Sequence, residues 1–379
     1  MNTSTRPPNT SAPVDEDLAE QQARPGYGIP SQDPRPAAQT PLPPGEAERE
    51  ARSVLVGGGM VAGAATGAGI GAAVGGPVGV LVGGTLGAVA GALGGAATGA
   101  AMEAAEAGEV RLHVEDSGGE GRPVLLIHGW PLSGQAWAPQ LPALRAAGYR
   151  TVVYDRRGFG RSDKPDAGYG YDTLADNLQR VIEHCGLHDV TLVGFSMGGG
   201  EVARYVARHG ESRLRGVVFA AAVLPFLMKT AGNPEGPLTP EKAQQMKQAL
   251  ERDREAFFER FTRDFFSAGG VLKVSEAQRA DAVALCRQSA QPAALACMDS
   301  LVGTDFRADL ERIGVPTLVI HGDADAIVPL EGSGLRTHRA VPHSRLVVIN
   351  GAPHGLNVSH AQEFNEALLS FLRASATAA

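Results

Sequence analysis

A serine set between glycines, directly after an apolar run, constrains the fold of this chain more than any other feature. Residues 190–193 are rich in β-branched side chains, as in a buried parallel strand, and residues 201–207 continue with helical spacing. Residues 194–198 between them, GFSMG, have the form G-x-S-x-G. A Gly-rich turn can carry the same motif by chance, so the flanking strand and helix decide the interpretation. Together they predict a tight strand-to-helix turn that exposes Ser196.

Such a turn makes two further demands on the sequence. Gly194 and Gly198 would be small because a Cβ at either position would collide with neighbouring backbone. A helix that begins at Met197 has free N–H groups and the positive end of its dipole beside the serine. The Met197 N–H is therefore a candidate donor to an oxyanion formed at Ser196.

Composition excludes several classes of function for this chain of 379 residues. The net charge of -7 and the lack of a basic cluster argue against nucleic acid as a partner. Cys185, Cys286 and Cys297 are too few and too scattered for a disulfide framework or a metal site. We therefore expect no metal, a reducing compartment, and a buried apolar role for each cysteine.

The first 50 residues contain ten prolines, eight acidic and four basic residues, and only scattered apolar ones. Such a segment cannot bury enough surface to offset its ordering entropy, so residues 1–52 are predicted to form a disordered tail. The stretch lacks a basic start followed by an apolar run. No secretory signal peptide is expected, and the predicted location is cytoplasmic or membrane-associated.

Residues 53–102 carry no charge, and glycine recurs at every fourth position from Gly59 to Gly99. This spacing predicts a glycine zipper, in which one stripe of a helix lets another backbone approach closely. Pro77 divides the segment into two helices near 54–74 and 78–101.

Three interpretations of this predicted helical hairpin stay open. Each helix is long enough to cross a bilayer, and the pattern resembles the glycine-zipper segments of bacterial membrane and envelope proteins. Gly and Ala dominate both helices, so insertion would be weakly driven. The hairpin could instead self-assemble in water or serve as a flexible spacer. Membrane contact through 53–102 and a homo-oligomer are the corresponding expectations.

Beyond a short charged link, strand and helix patterns alternate over residues 109–375, which predicts one α/β domain with a mainly parallel sheet covered on both faces. A stretch at about 225–314, with helical spacing that includes 240–267, breaks the alternation and is predicted to form a cap. The strand candidates are 110–114, 124–127, 151–154, 190–193, 214–221, 317–320 and 345–349, and the helix candidates are 137–147, 173–185, 197–208, 335–340 and 361–374.

A nucleophilic serine needs a histidine base and an acid that orients it. His354 lies in a turn-rich loop between the last strand and the last helix, where the base falls in the chain order Ser, Asp, His. His128 and His321 each end an apolar strand, and we expect them to satisfy backbone groups there. The other histidines have no catalytic context, and we expect them to be surface or hydrogen-bonded polar residues: His113, His184, His188, His209, His338, His343 and His360.

The acid and the second oxyanion donor follow two other predicted strands. Asp323 and Asp325 both lie just after strand 317–320, and either carboxylate could face the histidine. The loop after strand 124–127 places the Trp130 N–H where a second donor is needed, next to the flexible Gly129 and the stiffening Pro131.

Four motifs follow one another along the domain: HGWPLSG at 128–134, YDRRGFGRS at 154–162, GFSMG at 194–198 and GAPHG at 351–355. Together they resemble the cofactor-free bacterial haloperoxidases, or non-haem chloroperoxidases, of the α/β-hydrolase superfamily, and the resemblance runs from about residue 110 to the C-terminus. It implies an α/β-hydrolase fold with a triad of Ser196, Asp325 and His354 and with oxyanion donors at Trp130 and Met197. It also implies that Asp323 only caps a turn, that 154–162 is a structural loop, and that no haem, flavin or metal cofactor takes part.

The function implied is that of a serine esterase which forms an acyl-enzyme and passes the acyl group to water. Members of the family also pass it to hydrogen peroxide, and the resulting peracid can oxidise halide. The expected partners are a small ester or carboxylic acid and hydrogen peroxide. Fold relatives with an aspartate nucleophile, the haloalkane dehalogenases and epoxide hydrolases, are excluded by Ser196.

An alternative function is an anchoring or self-assembling protein in which the zipper is the working part and the hydrolase domain serves recognition. An intact triad would be unnecessary in such a protein. The sequence also departs from the family in two respects: a single clear strand replaces the usual opening β-hairpin, and the first hundred residues have no counterpart.

Overall fold

The computed structural model describes residues 110–375, and the predicted tail at 1–52 and hairpin at 53–102 lie outside this range. Parallel strands alternate with helices, as the sequence pattern predicts. The strands are β1 Val114–Asp116, β2 Pro123–Ile127, β3 Arg150–Tyr154, β4 Val190–Phe195, β5 Leu214–Ala220, β6 Ser267–Ala268, β7 Val271–Leu272, β8 Thr317–Gly322 and β9 Arg345–Ile349. The α-helices are α1 Leu141–Ala146, α2 Tyr171–His184, α3 Met197–His209, α4 Pro240–Arg252, α5 Arg254–Phe265, α6 Glu276–Arg287, α7 Gln291–Gly303, α8 Arg307–Leu310, α9 Gly334–Ala340, α10 Leu356–Ser359 and α11 Ala361–Ala374.

One seven-stranded sheet in the order β1-β3-β2-β4-β5-β8-β9 forms the centre of the domain. Only β1 runs antiparallel to its neighbour, and every residue of β4 and β8 is buried. The predicted fold class, a mainly parallel sheet with helices and a cap, is confirmed. The chain leaves β2 toward β3 on one side and later returns to place β4 on the other side. This change of direction opens a crevice at the carboxyl ends of β2 and β4, where ligands bind in open α/β sheets.

Two predicted elements near the start of the domain are wrong. The first strand was expected at 110–114, but it covers Val114–Asp116. The backbone that precedes it donates hydrogen bonds to side chains of the loop after β3 instead. The Arg111 N–H donates to the Asp163 carboxylate at 2.9 Å, and the His113 N–H donates to Ser162 Oγ at 2.8 Å.

A single helix was expected at 137–147, but the structure has a 3₁₀ turn at Gly134–Trp137 and a separate helix α1. Pro139 and Pro142 lack the N–H groups that one continuous helix would need at these positions, and Pro142 stands at the start of α1, where its missing N–H costs nothing.

The predicted cap occupies the expected part of the chain but has a different internal structure. The helical pattern at 240–267 is two helices, because the extended Asp253 ends α4 and its carboxylate caps α5 by accepting the Ala256 N–H at 3.0 Å. A two-stranded hairpin of β6 and β7 follows and was not predicted. Its turn residues, Gly269 and Gly270, both have positive φ, which only glycine adopts readily. Within residues 110–375, no helix is both long and apolar enough to cross a membrane.

Candidate active site

Ser196 occupies a strained turn between β4 and α3. Its φ of 53° is unusual for a residue with a side chain and costs on the order of 1–3 kcal/mol. The surrounding backbone holds it there: the Ser196 N–H donates to the Ala220 carbonyl at 2.9 Å, and the Ser196 carbonyl accepts from Gly199 at 3.0 Å. The strain is therefore compensated by bonds to β5 and to the first turn of α3.

The two glycines of the motif are required by the contacts around this turn. A Cβ on Gly194 would lie 2.5 Å from the Gly198 carbonyl oxygen, and a Cβ on Gly198 would lie 2.5 Å from the Ile127 carbonyl oxygen. Both obstacles are backbone atoms that cannot rotate away. The collision expected from the sequence is present, and it explains how β2, β4 and α3 pack so closely.

Ser196, His354 and Asp325 form one hydrogen-bonded chain. His354 Nε2 lies 2.9 Å from Ser196 Oγ, and His354 Nδ1 lies 2.7 Å from Asp325 Oδ2. All three residues are buried. The imidazole ring lies between Phe195 and Phe265, with ring centroids 5.3 and 5.1 Å away. Such packing fixes the ring while both nitrogens stay engaged.

Asp325 is held as a carboxylate. Its Oδ1 accepts the backbone N–H groups of Ile327 at 2.9 Å and Val328 at 2.8 Å. Burial alone would raise the pKa of Asp325, but the charge and hydrogen bonds of His354 and His321 outweigh it and lower the pKa below the ordinary value. The group that faces His354 Nδ1 is therefore an anion, which favours a proton on Nδ1 and leaves Nε2 free to accept one from Ser196.

Asp323 has a different place from Asp325, although only one residue separates them. Its carboxylate is on the exposed side of the loop and accepts the Gly351 N–H at 2.6 Å. This bond joins the loop after β8 to the loop after β9, which carries His354. The structure brings Asp325, and not Asp323, to the histidine.

The loop after β2 lies directly beside Ser196. A Cβ on Gly129 would lie 3.1 Å from Ser196 Cβ and 2.8 Å from Phe195 Cδ1, so only glycine fits at this approach. Among the described residues, no acceptor binds the Trp130 N–H. Met197 stands in the first turn of α3, where the helix supplies no acceptor. Both candidate donors thus belong to segments that adjoin the serine.

The Trp130 side chain connects this loop to the cap. Its Nε1–H donates to the Ala294 carbonyl at 2.9 Å, and its ring packs edge-on against Phe261 and Phe257 at 5.3 and 6.0 Å. The side chain therefore packs in the core, while the backbone N–H of the same residue stays available.

A groove of about 910 Å³ opens beside this aromatic cluster. Phe257 and Phe261 form part of its wall, as do Ala326 and Ile327, which follow Asp325 directly. Another wall residue, Leu227, lies four positions after Val223, whose N–H donates to the Ser196 carbonyl at 3.2 Å. The groove therefore lies next to segments that adjoin the site, whereas Ser196, His354 and Asp325 are not among its lining residues.

The two strand-end histidines satisfy backbone groups, as expected. The His128 ring lies 2.9 Å from both the Gly129 carbonyl oxygen and the Arg156 nitrogen, and His321 Nε2 lies 2.8 Å from the Val328 carbonyl oxygen. Arg156 and Glu201 form a buried ion pair next to His128, which was not predicted. Arg156 belongs to the motif at 154–162, and Glu201 follows GFSMG by three positions, which is the signal that sequence reasoning could have used.

The chain matches the family model of the α/β hydrolase fold over residues 122–361, and it belongs to this family. Within the family it falls in the branch of non-haem haloperoxidases and esterases. It is 44% identical over 267 residues to a putative non-heme chloroperoxidase of Synechocystis sp., covering 70% of this chain and 95% of the relative. A bifunctional esterase/perhydrolase of Acinetobacter calcoaceticus is 36% identical over 271 residues, covering 70% and 96%. The crystal structure of a bromoperoxidase from Bacillus anthracis superposes with a TM-score of 0.68 at 50% identity, covering 70% and 96%.

These similarities confirm the predicted family and make the chain an enzyme of the α/β-hydrolase type. They give no support to the alternative in which the zipper is the working part and the domain serves recognition.

Proposed function

We propose that the protein is a serine esterase and perhydrolase that works through an acyl-enzyme on Ser196. The observation that carries this proposal is the continuous chain from Ser196 Oγ through His354 to Asp325, with bonds of 2.9 and 2.7 Å. The site residues are Ser196 as nucleophile, His354 as base and Asp325 as the acid that orients it. Trp130 and Met197 supply the N–H groups that stabilise the oxyanion.

In the first half of the reaction, Ser196 Oγ attacks the carbonyl carbon of an ester while its proton moves to His354 Nε2. The oxyanion that forms accepts hydrogen bonds from the Trp130 and Met197 N–H groups. His354 then gives the proton to the leaving alcohol as the carbon–oxygen bond of the ester breaks. The acyl group remains on Ser196, and His354 is neutral again.

In the second half, water or hydrogen peroxide attacks the acyl carbon and gives its proton to His354. The bond to Ser196 Oγ breaks, Oγ takes the proton back, and a carboxylic acid or a peracid leaves. A peracid in solution oxidises a halide ion to hypohalous acid and is itself reduced to the carboxylate. Halide oxidation would thus take place outside the protein and require no bound redox group.

Pro131 supports peroxide as an acceptor. Proline has no N–H and fixes its own φ. It can therefore hold the neighbouring carbonyl of the loop beside the acyl group, where no N–H of its own competes for the acceptor. Hydrogen peroxide can donate to that carbonyl while its other oxygen attacks, whereas water gains less from the contact. The esterase/perhydrolase relative is in keeping with this dual use of acceptors.

The test is a panel of short and long aryl esters, assayed with and without hydrogen peroxide. Wild type should release the aryl alcohol in both conditions and form peracid only with peroxide. Ser196→Ala should lose both activities, whereas Ser370→Ala, a change on the exposed face of α11, should keep them. Halogenation that persisted in Ser196→Ala, or that a chelator abolished in wild type, would refute the proposal.

The same proposal includes membrane contact through 53–102, assembly into a homo-oligomer, and a location in the cytoplasm or at a membrane surface. The membrane contact and the assembly rest on the zipper pattern alone. Fractionation of the full chain tests them, since recovery as a discrete soluble oligomer would contradict insertion into a bilayer.

A further inference from the structure

Four buried polar side chains lie next to the loop that carries Trp130, and none of them serves as acid, base or nucleophile in the proposed reaction. Tyr154, Arg156, Glu201 and His128 are each at most 1% exposed. Arg156 binds Glu201 Oε1 through its guanidinium, and the Tyr154 hydroxyl donates to Glu201 Oε2 at 2.6 Å. The same guanidinium donates to the His128 carbonyl at 2.6 Å. The guanidinium of Arg156, paired with Glu201 in the core, thus holds the backbone of His128, the first residue of the loop.

The hydrogen bonds of this group determine the tautomer of His128. The Arg156 backbone N–H points at His128 Nε2 from 2.9 Å, so Nε2 must be an acceptor without a proton. The ring proton is then on Nδ1, which lies 2.9 Å from the Gly129 carbonyl oxygen and donates to it; the Arg156 guanidinium also lies near Nδ1, at the longer distance of 3.3 Å. Burial, and next the charge of Arg156, lower the pKa of His128 well below its ordinary value, which keeps the ring neutral.

The Gly129 carbonyl and the Trp130 N–H belong to one peptide unit. This unit is trans, so its C=O and N–H point in opposite directions. The carbonyl is fixed on one side by His128 Nδ1–H and by the Leu132 N–H at 3.1 Å. Rotation of the peptide unit would break both bonds. The direction of the Trp130 N–H is therefore set by what holds the Gly129 carbonyl.

We propose that His128 is a positioning residue for the oxyanion hole: its Nδ1–H anchors the Gly129 carbonyl and thereby aims the Trp130 N–H at the oxyanion, while Arg156 and Glu201 fix the ring. This inference rests on the proposed acyl-enzyme function and adds to it a residue that never touches the substrate.

Two substitutions at His128 separate positioning from stability. The side-chain amide of asparagine reaches the place of Nδ1, so His128→Asn keeps a donor to the Gly129 carbonyl and loses the acceptor for the Arg156 N–H. The longer glutamine reaches the place of Nε2, so His128→Gln keeps that acceptor and loses the donor. Each variant gives up one buried hydrogen bond, so the two should lose comparable stability.

Turnover should distinguish the two variants. With 4-nitrophenyl acetate, kcat should fall about ten- to a hundredfold in His128→Gln and no more than about threefold in His128→Asn, with KM little changed in both. Phenylboronic acid, which forms a tetrahedral anion on the serine, should lose affinity in His128→Gln in parallel with kcat. Equal losses of kcat in the two variants, or losses that follow their Tm values, would overturn the positioning role.

The wild-type protein offers a test that requires no variant. Nitrogen NMR of its histidines should show His128 neutral, with the proton on Nδ1, from about pH 5 to pH 8. A proton on Nε2, or a ring that titrates in this range, would overturn the inference. These results can be told apart from a failure of the proposed function, because that failure would appear as absent Ser196-dependent hydrolysis in wild type.

Discussion

Replacing Asp325 with asparagine should abolish nearly all turnover while leaving the fold intact. The amide oxygen of asparagine can still accept the Ile327 and Val328 N–H groups, now at 2.9 and 2.8 Å from Oδ1. The amide nitrogen, however, replaces Oδ2 and presents a donor to His354 Nδ1, which lies 2.7 Å away. His354 must then carry its proton on Nε2, where it faces Ser196 and cannot act as a base.

The loss can be estimated from that single change. A triad whose histidine is held in the wrong tautomer loses about ten-thousand-fold in kcat, or about 5 kcal/mol of transition-state stabilisation. The loss of stability should be far smaller, about 1–3 kcal/mol, because the Ile327 and Val328 N–H groups keep their acceptor.

The assay is steady-state hydrolysis of an aryl acetate by wild type, Asp325→Asn and Asp323→Asn, with urea unfolding of each. Asp323→Asn is the matched control, because its amide oxygen can still accept the Gly351 N–H and its side chain does not contact His354. It should keep more than about a third of wild-type kcat. Equal losses in the two variants would refute the assignment of the acid.

Three further predictions follow from the same structure. Removal of residues 1–102 should leave kcat for aryl esters unchanged and abolish membrane association or high-order assembly, since every site residue lies after residue 110; a folded but inactive product would contradict the domain division. Gly198→Ala should lower the free energy of unfolding in urea by about 2 kcal/mol or more, because its Cβ would meet backbone 2.5 Å away. The control Gly303→Ala has open space around the new Cβ, so its free energy of unfolding should stay within about 1 kcal/mol of wild type. Because the pKa of Asp325 is lowered in the folded protein, its carboxylate stabilises the fold above the unfolded pKa of about 3.9. The excess stability of wild type over Asp325→Asn should therefore persist at neutral pH and shrink as the pH falls below about 4. An excess that grew in acid would contradict the ionised state of Asp325.

Local patterns were sufficient to predict the centre of this fold. The run at 190–193, the glycines around Ser196 and the helix after it belong to one continuous segment, so a strand, a turn and a helix follow from neighbouring residues. The histidine could be placed because His354 stands in the turn-rich GAPHG stretch directly after the last strand, whereas His360 adjoins the last helix. The choice of Asp325 over Asp323 needed the family resemblance, since both side chains lie in one loop and only tertiary contacts distinguish them.

Other features depend on contacts between distant parts of the chain and could not be predicted locally. The first strand begins late because Asp163 and Ser162 bind the backbone that precedes it. Arg156 and Glu201 are charged residues, a class that is rarely buried unless paired, and here they form an ion pair in the core. The cap could be placed along the chain, but the break at Asp253 depends on the capping bond that this residue makes to α5.

The most direct test of the acyl-enzyme compares the fate of one acyl group delivered by different esters. Phenyl acetate and 4-nitrophenyl acetate would be hydrolysed at a fixed concentration of hydrogen peroxide, and the ratio of peracetic acid to acetic acid would be measured at early times. The leaving group has departed before the acceptor attacks, so the account predicts the same ratio for both esters despite different overall rates. A ratio that changed with the leaving group would show that water or peroxide attacks the ester directly, and would contradict an acyl-enzyme on Ser196.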